Sequence, residues 1–288
     1  MHDTETSVEV REPFDAEALL GFLAIHAVPG VETVVEGAYA RTLGLAHGPA
    51  VARVQLLERS PGVVPCRLSL YDVRDADAAL QRVRWLLDAG CDPLVVDDAL
   101  GADRVLGPLV AAHPGLRVPG SVDGFEVGVR TILGQQVTVS GGITLTARLV
   151  ASYGEPLAAG PGPTHLFPTP EAVAGIDVET LAMPRARGRA LTTLGSAVAS
   201  GNVVLDRSRP REEVRAGLLG LPGIGPWTAD YLAMRALAEP DAFLPTDVGV
   251  RRAATLLGLE LDDLLLASER WRPWRSYALM HLWQMLFV

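Results

Sequence analysis

Apolar positions along this chain change their spacing near residue 92, from a mixture of short alternating runs and helical periods to helical periods alone. DAEALLGFLAIHA (15–27) has helical spacing, whereas VETVVEGAYARTLGL (31–45) and VARVQLLE (51–58) read as extended. VPCRLSLYDV (64–73) alternates, with Cys66, Leu68 and Leu70 on one face and Arg67, Ser69 and Tyr71 on the other. ADAALQRVRWLLDAG (76–90) is an amphipathic helix ended by Gly90. A helix, a small antiparallel sheet and a covering helix is the simplest assembly of residues 1–92.

Beyond residue 93 the elements are helices. LVVDDALGADRVLGPLVAAH (94–113) is helical, HPGLRVPGSVDG (113–124) connects, and Asp123 with Glu126 caps the start of FEVGVRTILGQQVTVSGGITLTARLVASYG (125–154). The Pro/Gly-rich stretch 154–170 is a surface loop. Helical segments follow at 170–182, 185–200, the pair within 211–238, 247–258 and from near Pro273. The fold class is therefore α+β. A mixed N-terminal domain (1–92) precedes a helical region (93–288) of two subdomains, with the hairpin at 211–238 and a loop and helix at 239–258.

Composition narrows the chemistry. No apolar run reaches the roughly 18 residues of a membrane span, and the polar start MHDTETSVEV is neither a signal nor a transit peptide, so a soluble cytoplasmic protein is expected. The net charge of −9 is awkward for a nucleic-acid binder, but it is uneven. The first 120 residues hold 17 acids against 10 arginines, and the remainder 17 against 15. Cys66 and Cys91 read as small buried hydrophobes, and the six histidines show no ligand spacing. All 25 basic residues are arginine, so no lysine amine exists to form a Schiff base.

Within Arg211–Arg252, two helical patterns flank the turn LPGIG (221–225), and Pro226 sits where a missing N–H costs nothing. Gly223 and Gly225 would let a phosphate approach the main chain, with Ile224 and Thr228 beside it. An ordinary helix–turn–helix corner is the plainer alternative. Asp247 stands before a helix, a good N-cap position, and a capping acid can still face a positive sugar. Arginines at 184–190, Arg251, Arg252, Arg270, Arg272 and Arg275 are candidate phosphate contacts.

LPGIGPWTADYLAMRAL followed by FLPTDVGVRR resembles the helix-hairpin-helix, Gly/Pro-rich loop and aspartate signature of base-excision DNA glycosylases. GFLAIHAVPGVETV, PGLRVPGSVDGFEVGVRTILGQQV and ERWRPWRSYALMHLW narrow the resemblance to the bacterial DNA-3-methyladenine glycosylase II type, from about Arg11 to Trp283. It implies an N-terminal domain related to the TATA-binding-protein fold and an active-site cleft between two helical subdomains. Asp247 would be the catalytic acid, Phe22, Trp227, Tyr231 and Trp283 the base pocket, and Gln136 the wedge, where the family's best-known wedge is leucine. Val248 departs from a family position that can hold tyrosine. Trp227 occupies the position of the lyase lysine, and the cysteines of an iron–sulfur loop are absent, so a monofunctional enzyme without a cluster is expected. The carbonyls of Leu221 and Ile224 would hold a structural Na or K ion; no other cofactor is implied. The expected partner is double-stranded DNA with a damaged base, met by a monomer on the bacterial nucleoid. A glycosylase for oxidised or deaminated bases, or a non-catalytic DNA-binding hairpin, are the alternatives.

Overall fold

The computed structural model describes residues 1–157 and 162–286. Strands β1 (His2–Glu9), β2 (Glu32–Val35), β3 (Ala38–Leu45), β4 (Gly48–Gln55) and β5 (Val63–Leu70) form one antiparallel sheet in the order β1-β5-β4-β3-β2. The N-terminal stretch was not expected as a strand, because of its eight residues only Val8 is buried. Backbone pairing along β5, from His2↔Leu70 to Glu9↔Val63, holds this edge in place of an apolar face. The extended stretch 31–45 is two strands, because Glu36 and Gly37 both take positive φ (52° and 73°) and turn the chain in a two-residue hairpin. The alternation in β5 is as expected, with Cys66, Leu68 and Leu70 buried.

Helices α1 (Ala16–Ile25) and α2 (Ala76–Leu86) join the sheet in one core, through Leu19, Leu20 and Leu23 of α1 and Ala79, Val83 and Leu86 of α2. The other side of α1, Ala18 and Phe22, enters a second core built by α3 (Pro93–Gly101), α4 (Gly107–Ala112), α11 (Val248–Leu256), α12 (Leu261–Ser268) and α13 (Arg275–Gln284). A third core unites α5 (Gly124–Gly134), α6 (Val139–Tyr153), α7 (Pro170–Ala174), α8 (Arg185–Ala199), α9 (Arg211–Leu219) and α10 (Pro226–Leu237). Helix α10 bridges the two helical cores: Met234 enters one, while Ala229, Leu232 and Ala233 enter the other.

The chain breaks within two long helical patterns that the sequence presents as continuous. The stretch 94–113 divides near Asp103, whose carboxylate accepts from the N–H groups of Val105 and Leu106. The stretch 125–154 divides after Gly134: Gln136 adopts φ 57°, and Thr138 caps α6 by accepting from Gly141. Helix α12 was not expected, since LDDLLLAS is short and crowds its leucines without a clear period. In the loop 154–170, Pro156 and His165 form an isolated bridge, and residues 158–161 lie outside the described residues. No helix among the described residues is long and apolar enough to cross a membrane.

A buried charged network ties the sheet to α5. Arg41 reaches Glu126 at 2.5 Å and Glu32 at 3.4 Å, Arg130 reaches Glu126 at 2.9 Å and Glu32 at 3.0 Å, and Tyr39 donates to Glu32. Burial pushes the Glu32 carboxyl up, but Arg130 and Arg41 more than offset this and hold it below its ordinary value.

Candidate active site

A cavity of about 440 Å³ opens where α1, α5, α6, α10, α11 and α13 meet, and Asp247 lies on its wall. Asp247 is the N-cap of α11, accepting from Val250 N–H at 3.2 Å through Oδ1. Trp283 Nε1 donates to the same oxygen at 2.9 Å, and Trp227 Nε1 donates to Oδ2 at 3.1 Å. Oδ1 thus meets two donors and Oδ2 one, leaving Oδ2 the freer acceptor. Capping and a position facing the cavity belong to one side chain. Gly249 makes this closeness possible: a Cβ there would stand 2.8 Å from both Asp247 Oδ1 and the Trp283 indole.

The four expected aromatics line the same cavity. Trp227 and Tyr231, one helical turn apart on α10, stack at 5.3 Å with planes 9° apart, and Trp283 tilts against Tyr231 at 6.3 Å. Phe22 faces them from α1 across the Arg235 guanidinium, which lies 4.7 Å from the Phe22 ring and 5.6 Å from the Tyr231 ring. Arg235 Nη1 donates to Tyr231 Oη at 2.7 Å, and its other donors reach the carbonyls of Pro119 and Gly120. His26 stacks on the other partner, Phe22, with ring centroids 4.2 Å apart. Arg235 and His26 were not foreseen, although each sits four residues after a foreseen aromatic on the same helical face. Val248 is 79% exposed and does not line this cavity.

The hairpin turn lies at the start of α10. Gly223 has φ 88°, and a Cβ there would come within 2.6 Å of Ala190 Cβ. Gly225 has an ordinary φ of −96° and open space where a Cβ would go. Among the described residues, the N–H groups of Gly223, Gly225, Trp227 and Thr228 have no acceptor, while that of Ile224 is spent on Leu221 O at 3.1 Å. The side chains of Ile224 and Thr228 are buried. Thr228 Oγ1 meets Gln135 Nε2 at 3.3 Å, and the same amide reaches Gly223 O at 3.2 Å. Arg187 donates to the Gln135 carbonyl, so Gln135 braces the α5–α6 loop against the hairpin and leaves Gln136 exposed at its tip.

The candidate arginines divide. Arg251 and Arg252 are exposed, and Arg252 lines the cavity mouth. Arg270, Arg272 and Arg275 are instead engaged by Asp103, Asp241 and Glu269, which removes the free positive face expected of them. Both cysteines are buried and unpaired. Burial pushes the Cys66 thiol up to about 12, in keeping with an inert core residue.

Residues 5–123 match the AlkA N-terminal domain family, and residues 129–275 match the HhH-GPD superfamily of base excision DNA repair proteins. The chain belongs to the HhH-GPD superfamily. It is 46% identical over 280 residues to a probable bifunctional transcriptional activator/DNA repair enzyme AlkA of Mycobacterium tuberculosis, covering 96% of this chain and 56% of that protein. This chain thus spans little more than half the length of that relative. It is 39% identical to DNA-3-methyladenine glycosylase 2 of Escherichia coli, over 94% of both chains. Among solved structures, the 3-methyladenine DNA-glycosylase from Archaeoglobus fulgidus superposes with a TM-score of 0.84 at 21% identity, over 98% of this chain and 99% of that one. An 8-oxoguanine glycosylase/lyase of Clostridium acetobutylicum superposes at 0.74 with 17% identity, over 100% and 98%. These structural likenesses show a shared fold.

Proposed function

We propose that this chain is a monofunctional DNA glycosylase that hydrolyses the N-glycosidic bond of alkylated bases of the 3-methyladenine type and leaves an abasic site. The observation that carries the reading is the Asp247 carboxylate held by two indole N–H groups in a cavity walled by aromatics. The names of the relatives support the substrate class.

On this reading the open N–H groups of the hairpin and the exposed Arg251 and Arg252 grip the phosphates of double-stranded DNA. Gln136, presented in the left-handed region, fills the gap left by the flipped nucleotide. The base stacks among Phe22, Trp227, Tyr231 and Trp283, where each ring attracts a cationic alkylated base by about 0.5–2 kcal/mol. Such a base departs neutral with the electron pair of the broken C1′–N bond, so no general acid is required. Asp247 faces the oxocarbenium-like sugar through Oδ2, water adds at C1′, and its proton passes to the carboxylate or to solvent. Oxygen donors such as the Leu221 and Ile224 carbonyls suit a monovalent cation, and Leu221 O keeps a lone pair beyond its bond to Ile224 N–H. A bound ion would fix the turn.

Incubation with a methylated duplex should release 3-methyladenine while leaving the strand intact until alkali cleaves it. No borohydride-trapped lysine adduct can form. Strand cleavage without alkali contradicts the monofunctional reading.

A further inference from the structure

His26 is a cavity-lining group for which the reaction above has no use. Its Nδ1 lies 2.7 Å from the main-chain carbonyl of Phe22, one turn back on α1. A carbonyl has no proton to give, so Nδ1 must carry the hydrogen, and in the neutral ring Nε2 is then an acceptor. Burial, together with the charges of Arg235 and Arg130, holds the imidazole pKa down at about 4, which keeps the ring neutral at physiological pH. Nε2 has no hydrogen-bond partner among the described residues, yet it is not sealed from solvent.

Several other polar groups on the wall are already committed, and the two that keep free capacity, Asp247 Oδ2 and Arg252, face the sugar and the phosphates in the proposed reaction. Thr131 and Thr146 donate to carbonyls of their own helices, both indole N–H groups go to Asp247, and Arg130 is held by Glu32 and Glu126. The His26 ring is itself fixed by its stack on Phe22 and by its bond to the helix. A fixed, unspent acceptor in a pocket that takes a flat aromatic guest discriminates by what the guest can donate.

We infer that His26 is a specificity-determining residue whose Nε2 accepts a hydrogen bond from the exocyclic amine of a flipped adenine-type base, favouring it over a base with an oxo group in that place. The inference rests on the glycosylase reading. An oxo group would set two acceptors against each other and leave Nε2 unpaired, whereas the amine supplies the missing donor.

The test is single-turnover release from duplexes carrying 3-methyladenine or 3-methylhypoxanthine, which differ in the amine. Wild type should remove the amino base about fivefold faster, the order expected for one hydrogen bond. His26→Phe keeps a ring against Phe22 but has no acceptor, and it should bring the ratio close to one. His26→Gln restores an acceptor and should recover part of the preference. The same order should appear when the two free bases quench the fluorescence of Trp227 and Trp283, a readout independent of catalysis. An unchanged ratio in His26→Phe overturns the inference and leaves the glycosylase reading standing. Release of neither base by wild type overturns the glycosylase reading itself.

Discussion

Trp227 and Trp283 each contribute a ring to the cavity wall and an indole N–H to Asp247, and these two contributions can be separated by substitution. Trp283→Phe keeps an aromatic face near Tyr231 while removing the donor to Oδ1. The carboxylate would then be held by Val250 N–H at that oxygen and by Trp227 N–H at the other, and so less firmly fixed in its facing geometry. We expect the single-turnover rate of base release to fall on the order of tenfold, with substrate binding little changed. An equal loss in binding and none in rate would show that the ring, not the N–H, is what matters. At this scale the sequence was legible for Asp247 and the four aromatics as a set, because each belongs to a recognisable block. The bonds between them were not legible, because Asp247 and Trp283 meet across two helices far apart in sequence. Arg235 and His26 could have been found by extending the four-residue spacing of Trp227 and Tyr231 by one turn, and by applying it to Phe22.

Among the elements, the hairpin shows two glycines used for different physical reasons. Gly223 needs a left-handed backbone and has Ala190 pressed against it, whereas Gly225 has neither constraint within the protein. Gly223→Ala should therefore destabilise the fold by about 1–3 kcal/mol, read from urea unfolding. Gly225→Ala should unfold like wild type but bind duplex DNA more weakly, because its Cβ would occupy space on the side where a phosphate approaches. Unchanged duplex binding by Gly225→Ala would show that the open space there has no bearing on DNA. Periodicity identified α1, α8 and α10, although only α8 buries a single apolar face, α1 and α10 each serving two cores. It failed at β1, which is held by pairing at a sheet edge, and at the break after Gly134, where Gln135 turns extended and Gln136 left-handed before α6 begins.

At the scale of the whole molecule, helical and sheet regions are joined by buried polar groups as well as by apolar packing. Asp88, near the end of α2, accepts from Tyr277 Oη of α13 at 2.8 Å, and burial pushes its carboxyl up to about 6. An acid with a raised pKa binds its proton in the folded state before the unfolded chain does. Its contribution to stability is thus fully present below the ordinary carboxylate value near 4 and is lost as pH rises through about 6. Compared with Asp88→Asn, wild type should gain stability as pH falls from 7 to 4, measured by unfolding at each pH. Parallel curves for the two proteins would contradict this assignment. Charge distribution was legible only as an uneven total: Arg270, Arg272 and Arg275 looked available, but nearby acids hold them.

Base release from methylated duplex DNA by wild type and by Asp247→Asn tests whether the Asp247 carboxylate supports glycosidic hydrolysis. Asparagine can still accept from Val250 N–H and keep the cap, but it cannot answer a positive sugar with charge. Wild type should free 3-methyladenine, and the folded variant should lose release by at least about a hundredfold while still binding DNA. Full release by the folded variant would contradict a role for the carboxylate.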